Sequence, residues 1–167
     1  VALIGYGGKF NNNIITYNNY TQTGNTAPST QVGGGLYVSN TIAWNQFNDN
    51  TVSYNRSGHG GGCFIQTLTS SVVDGLIAIG NFNGGSSRAP ITFSNCGINI
   101  RNSLIAKNIS TGSQSSGMYI FGVAATAEAT NVENCTIFGN YNVSGTSAGQ
   151  LKYRSGTTID APINITN

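Results

Sequence analysis

Acid–base or metal chemistry in this chain would have to come from five carboxylates, Asp49, Asp74, Glu128, Glu133 and Asp160, and one histidine, His59. Polysaccharide cleavage needs clustered carboxylates, either to hold calcium or to serve as acid and base. Counted back from a recurring Asn, Asp74 lies seven before Asn81, Arg101 seven before Asn108, and Glu133 seven before Asn140. That spacing predicts one column of Asp, Arg and Glu on successive repeats, with Asp49 joining its end. Asp74 and Glu133 would stand about 9.6 Å apart, two strand spacings, a separation that suits an inverting glycosidase. The guanidinium between them holds both carboxylates ionised and leaves no general acid. The column therefore reads as a structural charge ladder, and no residue is assigned a catalytic role.

His59 sits in Ser57-Gly-His-Gly-Gly-Gly62. A Ser–His pair needs an orienting carboxylate, and none registers there. A glycine-rich phosphate loop needs a helix after it, whereas Gly60-Gly-Gly62 opens a strand. His59 reads as a turn residue. Three cysteines, Cys63, Cys96 and Cys135, allow at most one internal bridge, and their spacing matches no zinc motif. They read as small buried hydrophobes, and neither a metal nor a cofactor is expected. Six N-x-S/T sequons, at Asn19, Asn55, Asn108, Asn134, Asn142 and Asn164, are candidate glycosylation sites. Asn19 and Asn142, just beyond the recurring Asn, are the most open by this reading.

The elements that position these residues form a repeat. Gly35-Leu-Tyr-Val38, Gly62-Cys-Phe-Ile65, Pro90-Ile-Thr-Phe93, Gly117-Met-Tyr-Ile120 and Gly149-Gln-Leu-Lys-Tyr153 begin 27, 28, 27 and 32 residues apart. A second family ends in Asn18, Asn55, Asn81, Asn108 and Asn140, spaced 37, 26, 27 and 32. A third strand, as in Ile98-Asn-Ile-Arg-Asn102, lies between them. Units this small cannot bury their own apolar side, so they must stack. The prediction is an all-β, single-stranded parallel β-helix in one domain, residues 1–167, with about five to six coils of roughly 27 residues and three short strands per coil. Alternation turns Leu36, Cys63, Ile91 and Met118 inward with Val38, Ile65, Phe93 and Ile120. It turns Tyr37, Phe64 and Tyr119 outward, as an exposed aromatic stripe. The recurring Asn share a corner, where Asn tolerates left-handed backbone and stacked amides form an Asn ladder.

Phe10-Asn-Asn-Asn13 and Phe47-Asn-Asp-Asn50 fit an FxxN signature, and Gly33-Gly-Gly-Leu36 and Gly60-Gly-Gly-Cys63 look like its GGA-I/L companion. The pairing resembles the right-handed parallel β-helix repeats of polymorphic outer-membrane-protein-like adhesins, in the pectate-lyase-like superfamily. The motifs are clear in the first two coils, and the later coils keep only the period. The resemblance implies a surface-exposed structural or adhesive solenoid and transfers no catalytic residue.

Composition agrees with that class. Charged residues make up 7% of the chain against roughly a quarter in ordinary domains, while Asn, Gly, Ser and Thr supply nearly half of it. Scattered basic residues argue against nucleic acid, and no apolar run is long enough to cross a membrane as a helix. Val1-Ala-Leu-Ile4 has no basic leader and reads as the middle of a strand. The function expected is a non-enzymatic, extracellular or cell-surface solenoid, N-glycosylated, acting as subunit of a head-to-tail filament or as an adhesin segment. Its partner would be a second copy, reached through Val1, Leu3, Ile4, Ile163 and Ile165, with glycans as a further class. The alternative is a carbohydrate-binding or polysaccharide-cleaving β-helix.

Overall fold

Strands of three or four residues that alternate apolar and polar bury one side only, so each turn of such a chain needs its neighbours to complete a core. The computed structural model, which describes residues 1–4, 8–18, 32–39, 46–66, 71–85, 88–95, 97–112, 114–123, 130–144, 149–155 and 163–166, shows the result: a parallel β-solenoid. The first sheet stacks Ala2–Ile4, Leu36–Ser39, Cys63–Gln66, Ile91–Ser94, Met118–Val123 and Leu151–Ser155. The second stacks Phe47–Asn48, Ser71–Asp74, Ile98–Arg101, Thr130–Glu133 and Ile163–Thr166. The third stacks Ile14–Thr16, Thr51–Ser53, Ile77–Ile79, Leu104–Ala106 and Thr136–Phe138. A narrow fourth sheet of two-residue strands, Arg56–Ser57, Phe82–Asn83, Ile109–Ser110 and Tyr141–Asn142, was not expected. Complete turns carry four strands rather than three, and they are fewer than the five to six coils expected.

The inward columns lie where alternation puts them. Leu36, Cys63, Ile91 and Met118 are fully buried, as are Val38, Ile65, Phe93 and Ile120. Ile15, Val52, Ala78 and Ile105 close the core from the third sheet, and Phe47, Val73, Ile100 and Val132 from the second. Leu151 and Tyr153 follow Met118 and Ile120 in register and pack against this core.

The corner between the third and fourth sheets fixes the stacking. The backbone N–H and side-chain amide of Asn18 both donate to the side-chain oxygen of Asn55, and Asn55 does the same to Asn81, Asn81 to Asn108, and Asn108 to Asn140, at 2.8–3.2 Å. The second amide hydrogen of Asn55, Asn81, Asn108 and Asn140 goes to the carbonyl of Ile15, Val52, Ala78 and Ile105 respectively. Gln150 ends the ladder by accepting both Asn140 donors and returning a bond to the Asn140 carbonyl. Left-handed backbone falls one residue earlier than expected, at Tyr17, Tyr54, Gly80, Lys107 and Gly139 rather than at the Asn themselves. A second left-handed column, Asn12, Asp49, Gly75, Asn102 and Asn134, makes the corner between the second and third sheets.

Two sequence motifs acquire physical roles here. A Cβ on Gly62 would lie 2.7 Å from the Asn81 side chain, so the glycine lets the ladder amide close against the first sheet. Phe47 of the FxxN element is a core residue, and Asn50 takes two bonds from Asn13 at the second corner. In later turns Leu76, Ser103 and Cys135 occupy that corner, with the Ser103 hydroxyl taking the Leu76 N–H.

Truncating Asn81 to Ala leaves the buried Asn55 N–H and Val52 carbonyl without these partners. At about 1–3 kcal/mol for each orphaned group, Asn81→Ala is expected to cost about 2–6 kcal/mol in urea unfolding.

Candidate functional site

The charge column is in backbone register, with Asp74 and Glu133 on the strands either side of Arg101, and the ion pair it forms is to Asp74. Arg101 Nε donates to Asp74 Oδ2 at 2.8 Å, and the Asn102 amide donates to Asp74 Oδ1 at 2.8 Å. The Asn102 amide, and after it the Arg101 guanidinium, hold the Asp74 carboxyl below its usual range against the opposing effect of burial. A carboxylate held ionised in this way is a poor general acid. Asp49 does not join the column. Asn48 stands opposite Asp74, which leaves Asp49 on the left-handed corner with its Oδ1 close over Gly75. Glu128 and Asp160 lie outside the described residues, and among the described residues no three His, Cys, Asp or Glu side chains are grouped to hold a metal.

The aromatic residues point away from the central core, as expected, but they are not an open stripe. Tyr37 is partly exposed, whereas Phe64 and Tyr119 are only 4% and 2% exposed. The chain covers them itself. The Arg88 guanidinium lies 5.9 Å from the Phe64 ring centre and 4.1 Å from that of Phe121, Phe121 stacks on Tyr119, and Lys152 lies over Tyr119 at 5.8 Å. Thr92, between Phe64 and Tyr119 in the column, donates its hydroxyl to the Ala89 carbonyl, which pins residues 88–90 across the sheet. The signal that sequence reading missed was Arg88: cation–aromatic contact folds a connecting segment back over rings that would otherwise face water.

His59 stands in the turn that leads into the first sheet, where its carbonyl accepts from Gly33 N–H and the Ser57 hydroxyl. Burial and then the nearby Arg88 charge lower its pKa below the usual 6.5. Cys63 faces the core with its thiol pushed up to about 12 by burial, and Cys135 packs against the core with its thiol donating to the Glu133 carbonyl. Cys96 lies outside the described residues.

The sequons divide by burial. Asn55 and Asn108 are ladder residues with 1% and 0% exposure, so their amides cannot carry a glycan in the folded chain. Asn142, expected to be among the most open, is buried, its amide donating to the Gly112 carbonyl and its oxygen accepting from Ser144. Asn19 lies outside the described residues. Asn164 is exposed but bonded to Asn131, which continues to Asn99 in a surface ladder on the second sheet. Asn134 is exposed on its corner. Of the expected polymer contacts, Val1, Ile4 and Ile165 are well exposed, Leu3 packs partly against the core, and Ile163 pairs through its backbone with Thr130.

Two measurements follow. Arg101→Ala removes one half-exposed ion pair and is expected to cost no more than about 1 kcal/mol, read by thermal or urea unfolding. For His59 the folded-state pKa is the lower one, so the unfolded chain binds the extra proton. Stability is therefore expected to fall as pH drops below 6.5, and His59→Asn should flatten that part of the profile while leaving the loss below pH 4 that Asp74 contributes.

No helix among the described residues is long and apolar enough to cross a membrane. Comparison with known proteins adds no relative: no protein-family model, no curated protein and no solved structure matches this chain.

Proposed function

We propose that this chain is a non-enzymatic structural β-solenoid of an extracellular or cell-surface protein, serving as the repeating segment of a head-to-tail filament or of an adhesin like those its FxxN and glycine motifs resemble. The observation that carries the reading is that the stacking motif propagates. From Asn18 to Asn140 each turn hands both donors of its Asn to the oxygen of the next, and Gln150 accepts the last pair, so one contact repeats along the solenoid. Among the described residues, the outermost strands of the first sheet, Ala2–Ile4 and Leu151–Ser155, each have one sheet neighbour. Such edges recruit strands.

The polar side chains support the same conclusion. Many of them are used in folding: amides in ladders, Ser103 and Thr92 on backbone groups, and Asp74 on Arg101 and Asn102. A low charge content, many Asn, Ser and Thr, and an exposed sequon at Asn134 support a location outside the cell. The rival reading, a carbohydrate-binding or carbohydrate-cleaving β-helix, loses its sugar platform where Phe64 and Tyr119 are covered.

The test is electron microscopy and sedimentation of the purified 167-residue chain. Tyr37 N–H donates to the Val1 carbonyl, so the alternating ladder turns the N–H of Ile4 away from the sheet. Rods that lengthen with concentration are expected, and Ile4→Pro, which removes that outward donor, should shorten them. Particles of one turn-stack length at every concentration would contradict the filament.

A further inference from the structure

The fourth sheet carries a charge that the fold leaves unused. Arg56 and Phe82 pair in register, and each is followed by an inward residue, Ser57 or Asn83, with 1% and 0% exposure. The Arg56 and Phe82 side chains therefore share an outward column, and both are partly exposed. The Arg56 guanidinium lies over the Phe82 ring, 4.3 Å from its centre. Stacking of this kind fixes the plane of a guanidinium. Its Nε and Nη2 are buried and make no hydrogen bond. These two nitrogens form one edge of the group and point their N–H bonds the same way. A buried donor without an acceptor is costly, and more so when it is charged.

The charges around it point to the same kind of ligand. Arg88 lies in the segment that leads from the fourth sheet to the first, and Lys107 lies at the corner before the fourth sheet. His59, three residues after Arg56, has a second buried nitrogen without a partner, Nδ1. The described carboxylates are elsewhere. Asp74 and Glu133 end strands of the second sheet, and Asp49 stands on the corner between the second and third sheets. Among the described residues, therefore, no acid is placed on the fourth sheet to meet the Arg56 edge.

From these observations we infer that Arg56 is a binding site for an oxyanion, a carboxylate, sulfate or phosphate group, held by Nε and Nη2 through two parallel hydrogen bonds. Such groups present two oxygens side by side, which is the geometry the guanidinium fork accepts. Phe82 holds the plane in advance, so little side-chain freedom is lost on binding. Because both nitrogens are buried, the ion enters as the atoms covering that edge move aside. The inference does not depend on end-to-end stacking, and its test uses the Ile4→Pro chain so that filament growth does not intervene.

The probe is the Arg56 Nε–H resonance in heteronuclear NMR, titrated with sodium sulfate and, at matched ionic strength, with sodium chloride. A saturable shift in the millimolar range is expected with sulfate and none with chloride, confined to Arg56 and absent at Arg101. Arg56→Lys keeps the charge and loses the fork, and should weaken sulfate binding by about tenfold or more, read as a smaller sulfate-dependent rise in unfolding temperature. Lys107→Met should leave that rise unchanged. Sodium acetate and sodium phosphate, titrated in the same way, identify the preferred group, and galacturonate binding tighter than acetate would place it on a sugar. Circular dichroism checks that the variants are folded; if Arg56→Lys is not, the titration of the Arg56 resonance decides. Equal shifts in sulfate and chloride, or sulfate binding undiminished in folded Arg56→Lys, would overturn the inference.

Discussion

Stacking depends on the buried amide ladder. A solenoid turn held only by strand-to-strand bonds and apolar contact could slip along the strand direction, because backbone bonds repeat at every second residue. The ladder removes that freedom, since Asn55, Asn81 and Asn108 each accept two donors at a single buried oxygen and place one amide hydrogen on the following turn and the other on the preceding one. A shift by one residue would strand several buried polar groups at once, a penalty far larger than the apolar contacts could recover. Register in all four sheets follows from that corner.

The ladder also selects the neighbouring residues. The backbone must turn sharply before each Asn, so Tyr17, Tyr54 and Lys107 are held left-handed at a cost of about 1 kcal/mol or more each, and Gly80 and Gly139 do the same without a side chain in the way. The amides press against the chain entering the first sheet, which is why glycine stands at positions 35, 62 and 117, where a Cβ would lie within 3 Å of Asn55, Asn81 or Asn140. The glycine and Asn motifs in the sequence are thus two sides of one contact.

This contact made the fold legible. Two markers in step, one glycine-led and one Asn-ended, report a repeat because both sides of the ladder must recur together, and alternation within four-residue strands was enough to place Leu36, Val38 and their columns inside. The fourth sheet was not legible because two-residue strands such as Arg56–Ser57 carry no periodicity. Gln150 was not legible as the end of the ladder because it lies ten residues past Asn140 and reaches back in space. The aromatic column was placed on the correct side of the sheet and given the wrong exposure, because alternation describes a strand and says nothing of a segment, here residues 88–90, folded across it by Arg88. Asp74, Arg101 and Glu133 share a backbone register because each ends its strand at the same place, whereas the backbone of Asp49 belongs to the corner. The FxxN motif fades after two turns because the corner needs a small or apolar residue that satisfies its own polar atoms, and Leu76, Ser103 and Cys135 do so in different ways.

The most direct test of the ladder's central place is residue-resolved hydrogen exchange of the native chain. Backbone amides of Asn55, Asn81 and Asn108 donate to side-chain oxygens rather than to a sheet neighbour, so in an ordinary corner they would exchange quickly. If the ladder locks the turns, these three amides exchange only through global unfolding, with protection equal to that of the core strand amides of Ile105 and Ala78. Fast exchange at Asn81 and Asn108 while Ile105 and Ala78 stay protected would show that the corners open freely and that strand pairing alone holds the solenoid.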